Sequence, residues 1–298
     1  MKILEEVKLS SVIDCFKTDF DYLFNALKEE DSFYFFDNDF ISSLRLLDEE
    51  DLVCVIDSLD KSNIVLIPEP ILEESCGNNW MTPELYKSYY HNFFNLLSER
   101  KEIHIVSFET LYELILKSTG NESESLRILK MLAIEATRGY GMITDNLKTI
   151  PLKKEGFFEI LEDSMKIKDK NGGERFLSLA NLVFIHELFG PGYVCSNDKQ
   201  TYTDRCLHSK NEMLLEMLDL DFKEFRGIYQ TISFVKVLEI VIQKKSFSEH
   251  EAFDFLKRCR KDISRNIKAI VYGEWFHDSL ENEKFVELVL KNEIKIAF

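Results

Sequence analysis

Four acids in this 298-residue chain stand where an apolar run stops or a helix begins: Asp37, Glu74, Glu174 and Asp198. Asp37 follows Phe33-Tyr34-Phe35-Phe36, and Glu74 lies in the helix expected after Ile64-Val65-Leu66-Ile67. Glu174 opens a long apolar helix, and Asp198 follows Tyr193-Val194-Cys195. In a parallel sheet all four can converge at the edge where the strands end. Carboxylates held a few ångströms apart repel one another and raise each other's pKa, so such a group is stable in its ionised form mainly around a divalent cation. An all-oxygen set suits Mg²⁺ or Mn²⁺, and the natural substrate of such a site is a phosphate ester. The cation would polarise the phosphoryl oxygen, offset its charge and generate hydroxide from a bound water. The plain alternative for Asp37 is that it caps the helix that follows.

The elements that must position these acids are read from periodicity. Residues 10–30 carry Val12, Ile13, Phe16, Phe20, Leu23, Phe24 and Leu27 at helical spacing, and the aromatic run 33–36 fits a strand buried on both faces. Short β-branched or apolar runs at 64–67, 103–106 and 193–195 predict three further strands, with helices between them near 41–47, 49–59, 83–100 and 108–117. This βαβ rhythm implies an α/β fold, a three-layer parallel sheet flanked by helices. Between Gly120 and Gly173 the pattern gives helices at 126–136 and 157–165, a loop at 144–151 and a turn at 168–173. From residue 209 it is helical almost to the end, with helices expected over 225–242, 253–270 and 285–290, although Ile232, Val235 and Val237 leave strand character possible in the first. The expected division is an N-terminal helix (1–30), an α/β domain (31–208) with an insertion around 120–170, and a mainly helical C-terminal module (209–298).

Composition narrows the partners. Acids outnumber bases 53 to 37, a formal charge of −16, which argues against generic attraction to nucleic acid or to anionic membranes. The apolar runs are too short to span a bilayer and the first residues lack a signal-peptide pattern, so a soluble, cytoplasmic protein is expected. Six cysteines (15, 54, 76, 195, 206 and 259) form no CxxC pair and read as reduced core thiols. The six histidines are isolated, with neither triad nor zinc spacing, and no GxGxxG or GxxxxGK[ST] loop is present. Trp80, after Gly77-Asn78-Asn79, reads as a loop residue that lines the cleft or simply packs.

Tyr34-Phe35-Phe36-Asp37-Asn38-Asp39-Phe40-Ile41, Ile67-Pro68-Glu69-Pro70-Ile71-Leu72-Glu73-Glu74, Gly173-Glu174-Arg175-Phe176-Leu177-Ser178-Leu179-Ala180 and Gly192-Tyr193-Val194-Cys195-Ser196-Asn197-Asp198-Lys199 occur in the order of the elements of PIN-domain nucleases. Over roughly residues 30–205 the chain resembles that family. The resemblance implies that Asp37, Glu74, Glu174 and Asp198 bind one or two Mg²⁺ or Mn²⁺ ions and cleave RNA, or sometimes structured DNA, leaving a 5′-phosphate. It further implies that Ser196 is the small hydroxyl residue before the last acid. Asp39 stands where the family more often has Asn or Ser, Glu73 competes with Glu74, and the wide gap between Glu74 and Glu174 requires the insertion. Asp39, Glu73, Ser196 and Asp204 are read as auxiliary. Arg175 and Lys199 flank acids and are candidates to touch a scissile phosphate.

Other readings use the same residues. Asp37-Asn38-Asp39 also resembles the nucleophile motif of haloacid-dehalogenase-like phosphatases, which would recruit Ser107, Lys130 or Lys148, and Asp198 with Asp204. A third possibility is a catalytically inactive scaffold that binds RNA, a protein inhibitor or a regulatory partner. The stretch 257–268 holds six bases, and Lys257, Lys261, Arg265 and Lys268 on one helical face could follow a phosphate backbone; a solvated face pairing with nearby acids is the alternative.

Overall fold

The computed structural model describes residues 15–17, 19–30, 32–74, 84, 88, 90–166, 172–221, 223, 229–260, 262–271 and 277–298. Helix α1 (Phe20–Glu29), capped by Asp19, leads into β1 (Phe33–Phe36), followed by α2 (Asn38–Leu44) and α3 (Glu49–Ser58). Then come β2 (Ile64–Pro68), α4 (Glu69–Glu74), α5 (His91–Ser98), β3 (Glu102–Val106), α6 (Phe108–Thr119), α7 (Glu122–Ala136), α8 (Gly141–Thr149) and α9 (Phe157–Lys166). The chain continues through α10 (Gly172–His186), β4 (Gly192–Cys195), α11 (Lys199–His208), α12 (Glu212–Met217) and β5 (Tyr229–Ile232). It finishes with α13 (Phe234–Lys245), α14 (Glu249–Cys259), the pair β6 (Ile267–Ile270) and β7 (His277–Leu280), and α15 (Asn282–Leu290).

The first five strands form one parallel sheet in the order β3-β2-β1-β4-β5. Its centre is the aromatic run: Phe33 and Phe35 turn towards α10, where both rings pack on Phe184 at centroid distances of 4.7 and 5.3 Å. Tyr34 and Phe36 take the other face, as the period of a strand requires. Helix α10 is apolar all round and almost wholly buried, because it lies against β2 and β4 beneath and against α4, α6, α7, α9 and α11 around it. On the other side α3, α13, α14 and α15 pack together. Helices therefore flank the sheet as the βαβ rhythm implies, and the architecture is compatible with three α/β layers. At Gly192, which pairs with Phe33, a Cβ would lie 2.8 Å from the Asn181 side chain and 2.9 Å from the Phe33 ring, so α10 and β1 close over a position with no room for a side chain.

Several elements differ from expectation, each for a packing reason. Among the described residues the helix expected over 10–30 begins at Phe20; ahead of it Lys17 forms an isolated parallel bridge with His104, its N–H donating to the Ile103 carbonyl at 2.7 Å. Residues 144–151, expected as a loop, belong largely to α8: Ile143 and Leu147, one turn apart, are buried where α8 meets α7. The C-terminal stretch supplies a fifth strand, which pairs with β4 before α13 begins. The helix expected over 253–270 stops at Cys259, and β6 follows with Ile267 and Ala269 inward and Lys268 outward. Among the described residues no helix is long and apolar enough to cross a membrane, and Cys15, Cys54, Cys195, Cys206 and Cys259 are not joined in disulfides. Cys76, Trp80 and the expected turn at 168–171 lie outside the described residues.

Candidate active site at the carboxyl ends of β1 and β4

The chain leaves β1 in one direction, through β2 to β3, and returns to the other side of β1 for β4 and β5. The strand order therefore reverses between β1 and β4, the place where open α/β sheets form their ligand crevice. Both strands end there in polar residues. The Asp37 N–H donates to the Cys195 carbonyl at 2.9 Å and the Ser196 N–H to the Ile232 carbonyl at 3.1 Å, so the sheet ladder continues one step past each strand and holds both backbones rigid.

Asp37 is 2% exposed. One carboxylate oxygen accepts from the Asn38 N–H at 2.7 Å, capping α2, and the other accepts from the Ser196 hydroxyl at 2.6 Å. Capping and site membership are thus roles of one side chain. Both Asp39 oxygens accept from the Asn197 N–H, at 3.0 and 3.1 Å. Asn197 in turn donates to the Ser43 hydroxyl at 3.1 Å and accepts from the Phe234 N–H at 2.7 Å, joining α2, the β4 exit and the start of α13. Ser196 also accepts from the Asp198 N–H at 3.0 Å and from the Thr201 hydroxyl at 3.3 Å. Asp198 accepts from the Gln200 N–H at 2.6 Å, and the Gln200 amide donates to Asp204.

The electrostatics run through the same residues. Burial pushes the Asp37 carboxyl well above the usual range, and the charges of Asp39 and Glu174 add to it; the bonds from Ser196 and Asn38 oppose the rise without cancelling it. Asp39 is raised by burial and by Asp198, against the Asn197 N–H. Asp204 is raised by burial, with Asp198 adding to it, while Gln200, His208 and Arg175 pull the other way. Its second oxygen, Oδ2, is buried and has no hydrogen-bond partner among the described residues. Neighbouring charge thus adds to burial along one line, from Glu174 and Asp39 onto Asp37 and from Asp198 onto Asp39 and Asp204. Among the described residues no three His, Cys, Asp or Glu side chains are drawn together closely enough to hold a metal ion. Glu74 ends α4, but its side chain and that of Glu73 are outside the description. The donor chemistry fits Mg²⁺ or Mn²⁺: the acids are all-oxygen donors, and the anions that burial and neighbouring charge disfavour at Asp37, Asp39 and Asp204 are the form a divalent cation would stabilise.

The expected substrate contacts fare differently. Arg175 is fully buried, its guanidinium donating to the Met165 carbonyl and lying 4.8 Å from the centre of the Tyr140 ring. It is a core cation, held there because α10 is enclosed on every side, and does not reach solvent to meet a phosphate. Lys199 is exposed on the first turn of α11, beside Asp198. The basic stretch forms no single helical face, since α14 ends before Arg265 and Lys268 lies in β6. Lys257 pairs with Asp254 at 3.4 Å and Arg265 with Asp262 at 2.8 Å, as a solvated charged surface would; Lys261 lies outside the described residues.

The groups a phosphatase would recruit are engaged elsewhere. Ser107 caps α6 in a reciprocal box with Thr110, Lys130 donates to the carbonyls of Lys148 and Ile150 at 2.8 and 2.6 Å, and Lys148 pairs with Asp145 at 3.0 Å. Sequence reasoning missed Asn197, Gln200 and Thr201. Asn197 sits between two residues it did single out, but its partner Asp39 is distant in the chain and no local pattern reveals the meeting. It also missed a sealed polar cluster below the acids, where the Ser178 hydroxyl lies 2.7 Å from His208 Nε2 and His208 Nδ1 3.7 Å from Glu135. Burial alone would raise the Glu135 carboxyl; His208, Arg138 and Asn211 outweigh it and hold it below the usual range. With Ser178 and His208 each 1% exposed, the cluster ties α7, α10 and α11 together rather than meeting a substrate.

Comparison of the chain with protein-family models, with curated proteins and with solved structures finds no match.

Proposed function

We propose that the protein is a metal-dependent phosphodiester hydrolase, a PIN-like nuclease acting on RNA, with its site at the carboxyl ends of β1 and β4. The observation that carries this reading is the pairing of buried Asp37 with Ser196 across the point where the strand order reverses, with burial and the charges of Asp39 and Glu174 disfavouring the Asp37 anion. A bound Mg²⁺ or Mn²⁺ supplies charge neutralisation and an activated water. By the sequence resemblance the residues to hold it are Asp37, Glu74, Glu174 and Asp198; the described three would have to draw closer together to share an ion.

The other groups have positioning work. Ser196 fixes the rotamer of Asp37 by donating to it and fixes the Asp198 backbone by accepting from it. Asn197 holds Asp39 against the loop so that its charge remains beside Asp37. Gln200 links Asp198 to Asp204. Lys199, exposed at the rim, is the cation available to a phosphate from this loop. Cytoplasmic location and an RNA partner belong to the same proposal.

The test is cleavage of a mixed RNA pool in the presence of Mn²⁺ by the wild type and by Asp37→Asn and Asp198→Asn. Wild-type cleavage, with a loss of at least about a hundredfold in each variant, is expected. Equal activity in all three would overturn the site assignment, and a phosphoryl group trapped on Asp37 would transfer the chain to the phosphatase class.

A further inference from the structure

A cleft of about 960 Å³ opens on the face of the sheet away from α10, between β1, β4 and β5 on its floor and α13, α11 and residues 295–297 around it. None of the described acids of the proposed nuclease site lines it. Among the described residues its lining holds six bases, Lys61, Arg205, Lys223, Lys236, Lys244 and Lys295, against one acid, Asp60. Lys244 pairs with Asp60 at 2.6 Å, and Lys236 with Glu239 behind the wall at 2.6 Å. Among the described lining residues bases thus outnumber acids, in a chain whose formal charge is −16. A lining of that sign, on a molecule of the opposite sign, selects an anion and draws it to one place.

The same cleft presents aromatic rings. Tyr34 and Tyr193 are register partners on β1 and β4 with centroids 5.3 Å apart. Tyr202 stacks on Phe298 at 5.3 Å, with the Arg205 guanidinium 5.9 Å from its centroid. Tyr193 and Tyr202 are only partly buried, which leaves ring surface for a planar group.

The rim between α3 and β2 is fixed in advance. The Lys61 N–H donates to the Tyr34 hydroxyl at 3.0 Å, the Ser32 hydroxyl donates to the Lys61 carbonyl, and Lys244 Nζ donates to the Ser58 carbonyl at 3.0 Å. A preformed cleft loses little conformational freedom when its ligand arrives. Its volume lies at the upper end of the range for small-molecule sites, about 300–1,000 Å³.

From this combination we propose that the cleft is a nucleotide-binding site, with the phosphates held by the lysine rim and the base against Tyr193 or Tyr202. The ligand is a nucleoside phosphate, either free or at the end of a strand. It would be bound without any of the glycine-rich loops that the sequence lacks. The inference stands apart from the nuclease reading and does not depend on it.

The test is calorimetric titration of the full chain at low salt, in EDTA so that the acid cluster is not engaged. The probes are ATP, a 5′-phosphorylated trinucleotide and inorganic tripolyphosphate. ATP or the trinucleotide is expected to bind about tenfold or more tightly than tripolyphosphate; the tighter of the two identifies the source as free nucleotide or strand end. The triple variant Lys61→Ala/Lys223→Ala/Lys295→Ala, whose side chains are all exposed, should weaken binding at least about tenfold, and Tyr193→Leu by a similar factor. Asp37→Asn should bind as the wild type does, which separates this site from the nuclease reading. Absence of nucleotide binding by the wild type at millimolar concentration would overturn the proposal. So would binding that survives the triple substitution, or tripolyphosphate binding as tight as that of the nucleotides.

Discussion

Asp37 carries two demands that conflict. It caps α2 and bonds to Ser196, which favour its anion, while burial and the neighbouring charges of Asp39 and Glu174 oppose that anion and win. The folded state therefore binds this proton more tightly than the unfolded state. It follows that stability falls as pH rises from the ordinary aspartate value towards the raised one. Asp39 and Asp204 are shifted in the same direction and act over the same side of the scale. Asp37→Asn keeps the shape and can still accept from Asn38 while meeting Ser196 with its amide. In metal-free buffer near pH 7.5 that variant is expected to be more stable than the wild type by about 1 kcal/mol, with the advantage shrinking as the pH is lowered towards 4. Thermal melts across that range check it, and a variant less stable at every pH would contradict the sign. At this scale the sequence was informative about acids at strand ends. It was silent about Asn197 and about the burial of Arg175, because both depend on what a distant segment brings beside them.

At the scale of elements, β1 to β4 were legible because each is a short apolar run ended by a polar break, and α10 because its apolar residues continue for several turns. The fifth strand was not. Tyr229-Gln230-Thr231-Ile232 runs into the helical pattern of α13 after only Ser233, and its strand character is imposed by pairing with β4. The stretch 253–270 misled for a similar reason: apolar spacing in α14 and in β6 fits one long helix until tertiary packing breaks it at Arg260, which is extended. That break changes what the basic residues do. Arg258 reaches across to α3, where its guanidinium meets the buried Asp51 carboxylate through two bonds of 2.7 and 2.9 Å. Arg258→Ala strands that carboxylate and is expected to cost about 1–3 kcal/mol, whereas Lys257→Ala, which loses only an exposed pair with Asp254, should cost under about 0.5 kcal/mol. Chemical denaturation of the two variants side by side tests the difference; equal costs would deny Arg258 its role in joining α14 to α3.

For the molecule as a whole, the charge of −16 is unevenly placed: acids stand at the carboxyl ends of β1 and β4, and bases outnumber acids among the described residues that line the cleft floored by β1, β4 and β5. Relief of the acid cluster should register globally. Millimolar Mn²⁺ is expected to raise Tm near neutral pH by a few degrees, as a ligand present at about a hundred times its Kd adds about 2.7 kcal/mol, and EDTA should reverse the shift. The double variant Asp37→Asn/Asp198→Asn should lose most of that shift, and an unchanged shift would place the cation elsewhere. The bridge between Lys17 and His104 has a consequence of another kind. An open sheet ends in strands whose outer backbone groups invite another chain to pair with them, and β3 is such a boundary strand. Here the Ile103 carbonyl is already taken by the Lys17 N–H, by a segment that carries a positive charge and gives way at once to α1. One position on that edge is thus withheld from any second chain, which interrupts the row of free backbone groups that edge-to-edge pairing needs.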